Sequence, residues 1–193
     1  MSASVVLLYD CHGYSEKVGK ENVYFIKIHP KGDPEISALW YTNKDKPMLC
    51  HIKNSVARHF HVKPQSFRLY ANGRELDNFL PKGELIHLNT PLHMHTHDFT
   101  KISTSRLIFD LDGYRSGISK EYVYVFSIKA PYNFVGIFFT NKPVLGIYTL
   151  TNSIARVVGG SGKHLHCNSN HTYIRSVVPK SHLLRIHFND MQH

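Results

Sequence analysis

The stretch Val62-Lys-Pro-Gln-Ser-Phe-Arg-Leu-Tyr-Ala-Asn-Gly-Arg-Glu-Leu-Asp77 decides how the rest of the chain is read. It predicts an exit from a helix, a short strand, a tight turn at Asn72-Gly73 and a second short strand. Asn and Gly both tolerate positive φ, which a two-residue hairpin turn requires. Phe67 and Leu69 alternate with Arg68 and Tyr70, the pattern of a half-buried strand with one face toward solvent. Upstream, Leu49, Ile52, Val56 and Phe60 recur at helical spacing on one face, and Pro47 suits the first turn of a helix running from Lys44–Pro47 to about His61. Downstream, Leu80 to Leu88 alternates again, with Ile86 and Leu88 on one side and His87 on the other. Three strands precede the helix: Val5–Tyr9, Val23–Ile28 and Ile36–Thr42.

The whole plan recurs. Leu7, Asp10, Gly13, Tyr14, Lys20, Glu21, Val23, Tyr24 and Ile28 return 100 positions later as Leu107, Asp110, Gly113, Tyr114, Lys120, Glu121, Val123, Tyr124 and Ile128. After a two-residue slip, Thr42-Asn43-Lys44 returns as Thr140-Asn141-Lys142, and Asn54-Ser55-Val56-Ala57-Arg58 as Asn152-Ser153-Ile154-Ala155-Arg156. The chain reads as a tandem duplication of one unit. The expected division is 1–92, a His-rich linker at 93–102, and 103–193. The second helix keeps an apolar face through Ile147, Leu150, Ile154 and Val158, and Leu165 and Cys167 stand where the first copy has Phe67 and Leu69.

From about Met48 to Asp77 the order of helix, Lys-Pro bend, Arg-Leu-aromatic strand and Gly-Arg-Glu-Leu turn, followed by a closing strand, resembles ubiquitin and its relatives. The resemblance implies an α+β chain of two tandem ubiquitin-like β-grasp domains, each with an extra N-terminal strand. It covers about two thirds of each unit. Conjugated modifiers end in Gly-Gly, whereas this sequence ends Asn189-Asp-Met-Gln-His193, so a conjugatable modifier is not expected. In the ubiquitin-like family the sheet face around the Arg-Leu-aromatic and closing strands binds partners. By position that face implies Arg68, Tyr70 and His87, with Arg74 at the rim, and in the second copy His166, Asn168 and Arg185. Tyr, His, Asn and Arg replace the family's aliphatic patch, which points away from the usual ubiquitin receptors.

The 193 residues carry a net charge of +9, with 12 Lys and Arg against 9 Asp and Glu up to His97, and 11 against 5 from Asp98. That balance suits a solvated basic surface or an acidic partner. A doublecortin-like protein is a second resemblance: its tandem basic β-grasp units bind microtubules, and each begins with a strand ending in a Tyr-x-x-Gly turn, which Tyr9-Asp-Cys-His-Gly13 resembles with one residue more. Nucleic-acid binding is a third reading, carried by charge alone. No apolar run is long enough to span a membrane, and no signal peptide is expected at the N-terminus. Three scattered cysteines, Cys11, Cys50 and Cys167, fit reduced thiols in an intracellular compartment, cytoplasmic, cytoskeletal or nuclear.

No catalytic set emerges, so neither enzymatic activity nor a cofactor is expected. His93-Met-His-Thr-His97 has the alternation that could gather imidazoles on a metal, but a polar linker explains it as well. In His164-Leu-His-Cys167 the strand pattern turns Cys167 inward and His166 outward, so they would not share an ion. Gly159-Gly-Ser-Gly162 follows a helix where a phosphate loop would precede one, and is read as a helix stop.

Overall fold

A computed structural model describes residues 2–15, 20–94, 102–115, 120–129 and 131–188. The chain is α+β with mixed parallel and antiparallel pairing, and divides into two compact units, Ser4–Ser103 and the residues from Thr104 onward, with Met1–Ala3 grouped with the latter.

The first unit contains β1 (Ser2–Tyr9), β2 (Asn22–Pro30), β3 (Ile36–Thr42), α1 (Leu49–Phe60), β4 (Arg68–Ala71), β5 (Arg74–Glu75) and β6 (Ile86–Thr90). Its strands lie in the order β1-β3-β2-β6-β4-β5. β2 and β3 form an antiparallel hairpin, and the closing strand β6 runs parallel to β2, with Ile26 opposite Ile86 and Ile28 opposite Leu88. β1 is parallel to β3 at the edge of this set. The second unit contains β7 (Ile102–Phe109), β8 (Tyr122–Ile128), β9 (Phe134–Thr140), α2 (Ile147–Val158), β10 (Leu165–Ser169), β11 (Thr172–Tyr173) and β12 (Leu184–Phe188). Its order, β7-β9-β8-β12-β10-β11, repeats the first. Among the described residues, no helix is long and apolar enough to cross a membrane.

Each helix lays one face on its sheet. Ile52 and Val56 in the first unit, and Leu150 and Ile154 in the second, are fully buried. They pack with Ile26, Trp40, Leu69 and Ile86, and with Phe126, Phe138, Cys167 and Ile186, respectively. The Asn72-Gly73 turn has φ of 49° and 80°, the left-handed pair expected of it, and Asn170-His171 repeats the geometry at 47° and 68°.

The helix start differs from the sequence expectation. α1 begins at Leu49, and Lys44–Pro47 is loop. The reason lies in the backbone: the Pro47 carbonyl accepts from the Leu80 N–H, and the Leu49 N–H donates to the Asn78 carbonyl. The His51 ring then accepts from the Met48 N–H at 3.0 Å, closing the first turn as a capping-box side chain does. Burial, followed by the nearby Lys44, pushes the His51 pKa down, which favours the neutral ring that can accept. Phe67 is also outside the strand, since Pro64–Ser66 forms a turn of 3-10 helix before β4. His93 and Met94 are tied to the first unit: Met94 is buried in its core and its N–H donates to Asp33. Residues 95–101 of the His-rich segment lie outside the described residues.

One side-chain network recurs in both units and holds the loop after the first strand. The Asp10 side chain has no exposed surface. Its carboxylate accepts from Thr42 at 2.7 Å, Lys44 at 2.8 Å and the His12 N–H at 2.9 Å. Asp110 accepts from Thr140 at 2.7 Å, Lys142 at 2.6 Å and the Asp112 N–H at 2.8 Å. The next residue ties the loop to the helix, through Cys11 N–H to Ser55 and Leu111 N–H to Ser153. Burial alone raises the carboxyl pKa in each, but the hydrogen bonds from Lys, Thr and backbone outweigh it, and both groups end below their ordinary value.

The two cores are filled differently at one matched point. Gly136 sits opposite Phe126, and a Cβ there would lie 2.1 Å from the ring. The first unit has Ala38 opposite Ile26 at the same place. A smaller strand residue thus accommodates a larger ring.

Two predictions follow from these contacts. Gly136→Ala should destabilise the chain by roughly 1–3 kcal/mol in chemical denaturation, as overpacking does. Adding Phe126→Ile should recover part of the loss, and a double variant no better than the single would show the clash is elsewhere. Lys44→Met, which leaves a buried carboxylate without its cation, should cost about 2–4 kcal/mol, somewhat below a fully buried pair because Lys44 is partly exposed. A carboxyl with a depressed folded pKa stabilises above its unfolded pKa of about 3.9 and loses that contribution as pH falls. The variant's acid-unfolding midpoint should therefore move to higher pH, and an unchanged midpoint would contradict the pairing.

Candidate binding surface

The sheet face opposite α1 carries the residues singled out in the first unit. β4 pairs with β6 so that Tyr70 stands opposite His87, and Arg68 opposite Asn89. Side chains alternate along a strand, so Arg68 and Tyr70 share a face while Leu69 and Ala71 fill the core. Tyr70 and His87 are half-buried, and Arg68 and Arg74 exposed. The structure brings Tyr70 and His87 together as register partners. It also adds His29, whose Nε2 lies 3.0 Å from His87 Nδ1 with the rings stacked at 5.2 Å. Glu35 flanks His29 at 3.6 Å and Lys27 at 3.2 Å.

Both arginines have carboxylate partners. Arg74 meets Glu84 at 3.0 Å, and Arg68 lies 3.8 Å from Glu75. Exposed pairs of this kind contribute little to stability, but they offset much of the positive charge that the sequence places on this face. Sequence reasoning missed the offset because Glu75 and Glu84 become neighbours only through the β4–β5 turn and the approach to β6.

In the second unit His166 stands opposite His187, and Asn168 opposite Arg185. The two imidazoles stack at 5.7 Å, and His166 Nδ1 lies 2.7 Å from the Tyr173 hydroxyl. Arg185 is exposed on the closing strand. Cys167 is buried among core residues, and burial pushes its thiol up to about 12. The inward Cys167 and half-exposed His166 match the strand alternation. Among the described residues, no group of three or more His, Cys, Asp or Glu is placed to hold a metal ion.

A cleft of about 390 Å³ in the second unit lay outside the sequence reading. The start of α2 contributes Ile147 and Tyr148, and the β10–β11 hairpin contributes Cys167, Tyr173, Ile174 and Arg175. Tyr148 is 72% exposed and Tyr173 44%. The Arg175 guanidinium lies 5.4 Å from the Tyr173 ring centre, within cation–π reach. The sequence carries a signal for its charge but not for its shape: no Asp or Glu occurs between Glu121 and Asp190.

No family model matches this chain, and no curated protein matches it in sequence.

Proposed function

We propose that the chain is a non-catalytic interaction protein, built as two ubiquitin-like β-grasp units that each carry an extra N-terminal strand. The fold part is supported by the strand order repeated in both units. In each, an antiparallel hairpin and a helix precede a closing strand that returns parallel to the hairpin's first strand. The functional part rests on one observation. Each sheet face offers half-exposed rings on two matched strands, Tyr70 on β4 and His87 on β6 in one unit and His166 on β10 and His187 on β12 in the other, with a further ring beside each pair, His29 on β2 and the exposed Tyr173 on β11. Rings with polar tips, held on rigid strands, suit a protein interface because little side-chain freedom is lost on binding.

A doublecortin-like, microtubule- or filament-binding role is the second reading. It is favoured by the absence of carboxylates between Glu121 and Asp190, which leaves that stretch attractive to an acidic surface.

The two readings separate on one set of assays. With the 193-residue chain as bait, Tyr70→Ala should weaken a first-unit interaction by about 1–2 kcal/mol, and Asn168→Ala should be nearly silent, since Asn168 brings no ring to the face. Microtubule co-sedimentation at two salt concentrations should show little bound protein. Strong, salt-sensitive co-sedimentation indifferent to Tyr70→Ala would favour the second reading.

A further inference from the structure

We infer that the cleft between α2 and the β10–β11 hairpin binds a short acidic peptide segment that inserts one apolar side chain. The inference rests on the reading of the chain as an interaction protein, and assigns a partner chemistry to one place on it.

The cleft has the make-up of a binding pocket. Its volume lies in the range of ligand sites, roughly 300–1,000 Å³. Ile147, Leu165, Cys167 and Ile174 are all buried apolar residues in its lining, and the exposed rings of Tyr148 and Tyr173 line it as well. Lys163 and Arg175 are exposed lining residues, and neither forms an ion pair among the described residues. Thr151 and His166 also line the cleft, so its wall is mixed; a pocket with an apolar floor and two such cations suits an apolar side chain flanked by carboxylates.

The first unit supplies an internal control. Ninety-eight positions earlier, Tyr148, Lys163, Tyr173 and Arg175 correspond to Cys50, Gln65, Glu75 and Asp77. The scaffold is shared, but at these four positions both tyrosines and both cations are absent and two carboxylates appear. The charge of the pocket is therefore a property of the second unit, and an acidic peptide would discriminate between the units. Nucleic acid fits less well. Backbone tracking needs an extended positive groove, whereas here two cations border a compact cleft with an apolar floor.

The test is an array of nonapeptides with a central Phe or Leu and varied flanking residues, probed with the 193-residue chain. Peptides with Asp and Glu flanks should bind at least tenfold better than those with Lys and Arg flanks. Lys163→Glu/Arg175→Glu should abolish or invert that preference, and Tyr148→Ala should weaken binding at least fivefold. All three substituted side chains are exposed, and unchanged circular dichroism would verify that the variants fold. Lys46→Glu, a charge reversal at an exposed first-unit residue that lines neither the cleft nor the sheet face, should leave the preference intact. No acidic preference, or one indifferent to the charge reversal, would overturn the inference. So would a fluorescein-labelled DNA oligonucleotide that binds where the peptides do not and is lost with the same reversal. An acidic preference lost with Tyr70→Ala but kept in the Lys163/Arg175 variant would remove the cleft while leaving the sheet-face reading standing.

Discussion

The buried carboxylate after the first strand, Asp10 in one unit and Asp110 in the other, is the constraint on which the local architecture depends. A carboxylate without exposed surface is tolerable only when its charge and lone pairs are answered nearby. Here the answer comes from the threonine ending β3 or β9, the lysine two residues later, and a backbone N–H in the same loop. One side chain therefore joins the end of the unit's first strand, the end of the hairpin and the loop between β1 and β2 or β7 and β8. The adjoining N–H to Ser55 or Ser153 extends that hold to the helix. This accounts for why Asp, Thr, Lys and Ser occur at matched positions in both halves of the sequence.

What the units do not share is where binding specificity is sought. Both have a stacked imidazole pair on the sheet face, but the pairs arise from different positions: His29 with His87, and His166 with His187. The first unit surrounds its rings with Arg68–Glu75 and Arg74–Glu84 pairs. The second has no carboxylate from β8 through β12, so its field is of one sign over that stretch. Two copies of one scaffold thus offer different surfaces, a mixed-charge one and a basic, aromatic one.

Much of this was legible in the sequence because periodicity and turn chemistry are local. The Asn72-Gly73 turn, the helix faces around Val56 and Ile154, the inward Cys167 and the Tyr70–His87 strand face all follow from spacing of two or of about three and a half residues. The start of α1 was not legible, since Pro47 and Leu49 spend their backbone groups on Leu80 and Asn78, thirty residues away. The carboxylates beside Arg68 and Arg74 were hidden for a similar reason. The cleft in the second unit was hidden because Tyr148 and Tyr173 are far apart in sequence, and an exposed tyrosine on a helix carries no periodic signal of its own.

The most direct measurement is an NMR titration of the Asp10 and Asp110 side-chain carboxyl carbons in the intact protein. The network described here predicts that both titrate below the ordinary aspartate value of about 3.9, and that Lys44→Met raises the Asp10 value while Asp110 keeps its own. An Asp10 or Asp110 that titrates at or above the ordinary value would mean burial outweighs the hydrogen bonds, and that the latch does not hold its unit in the way proposed.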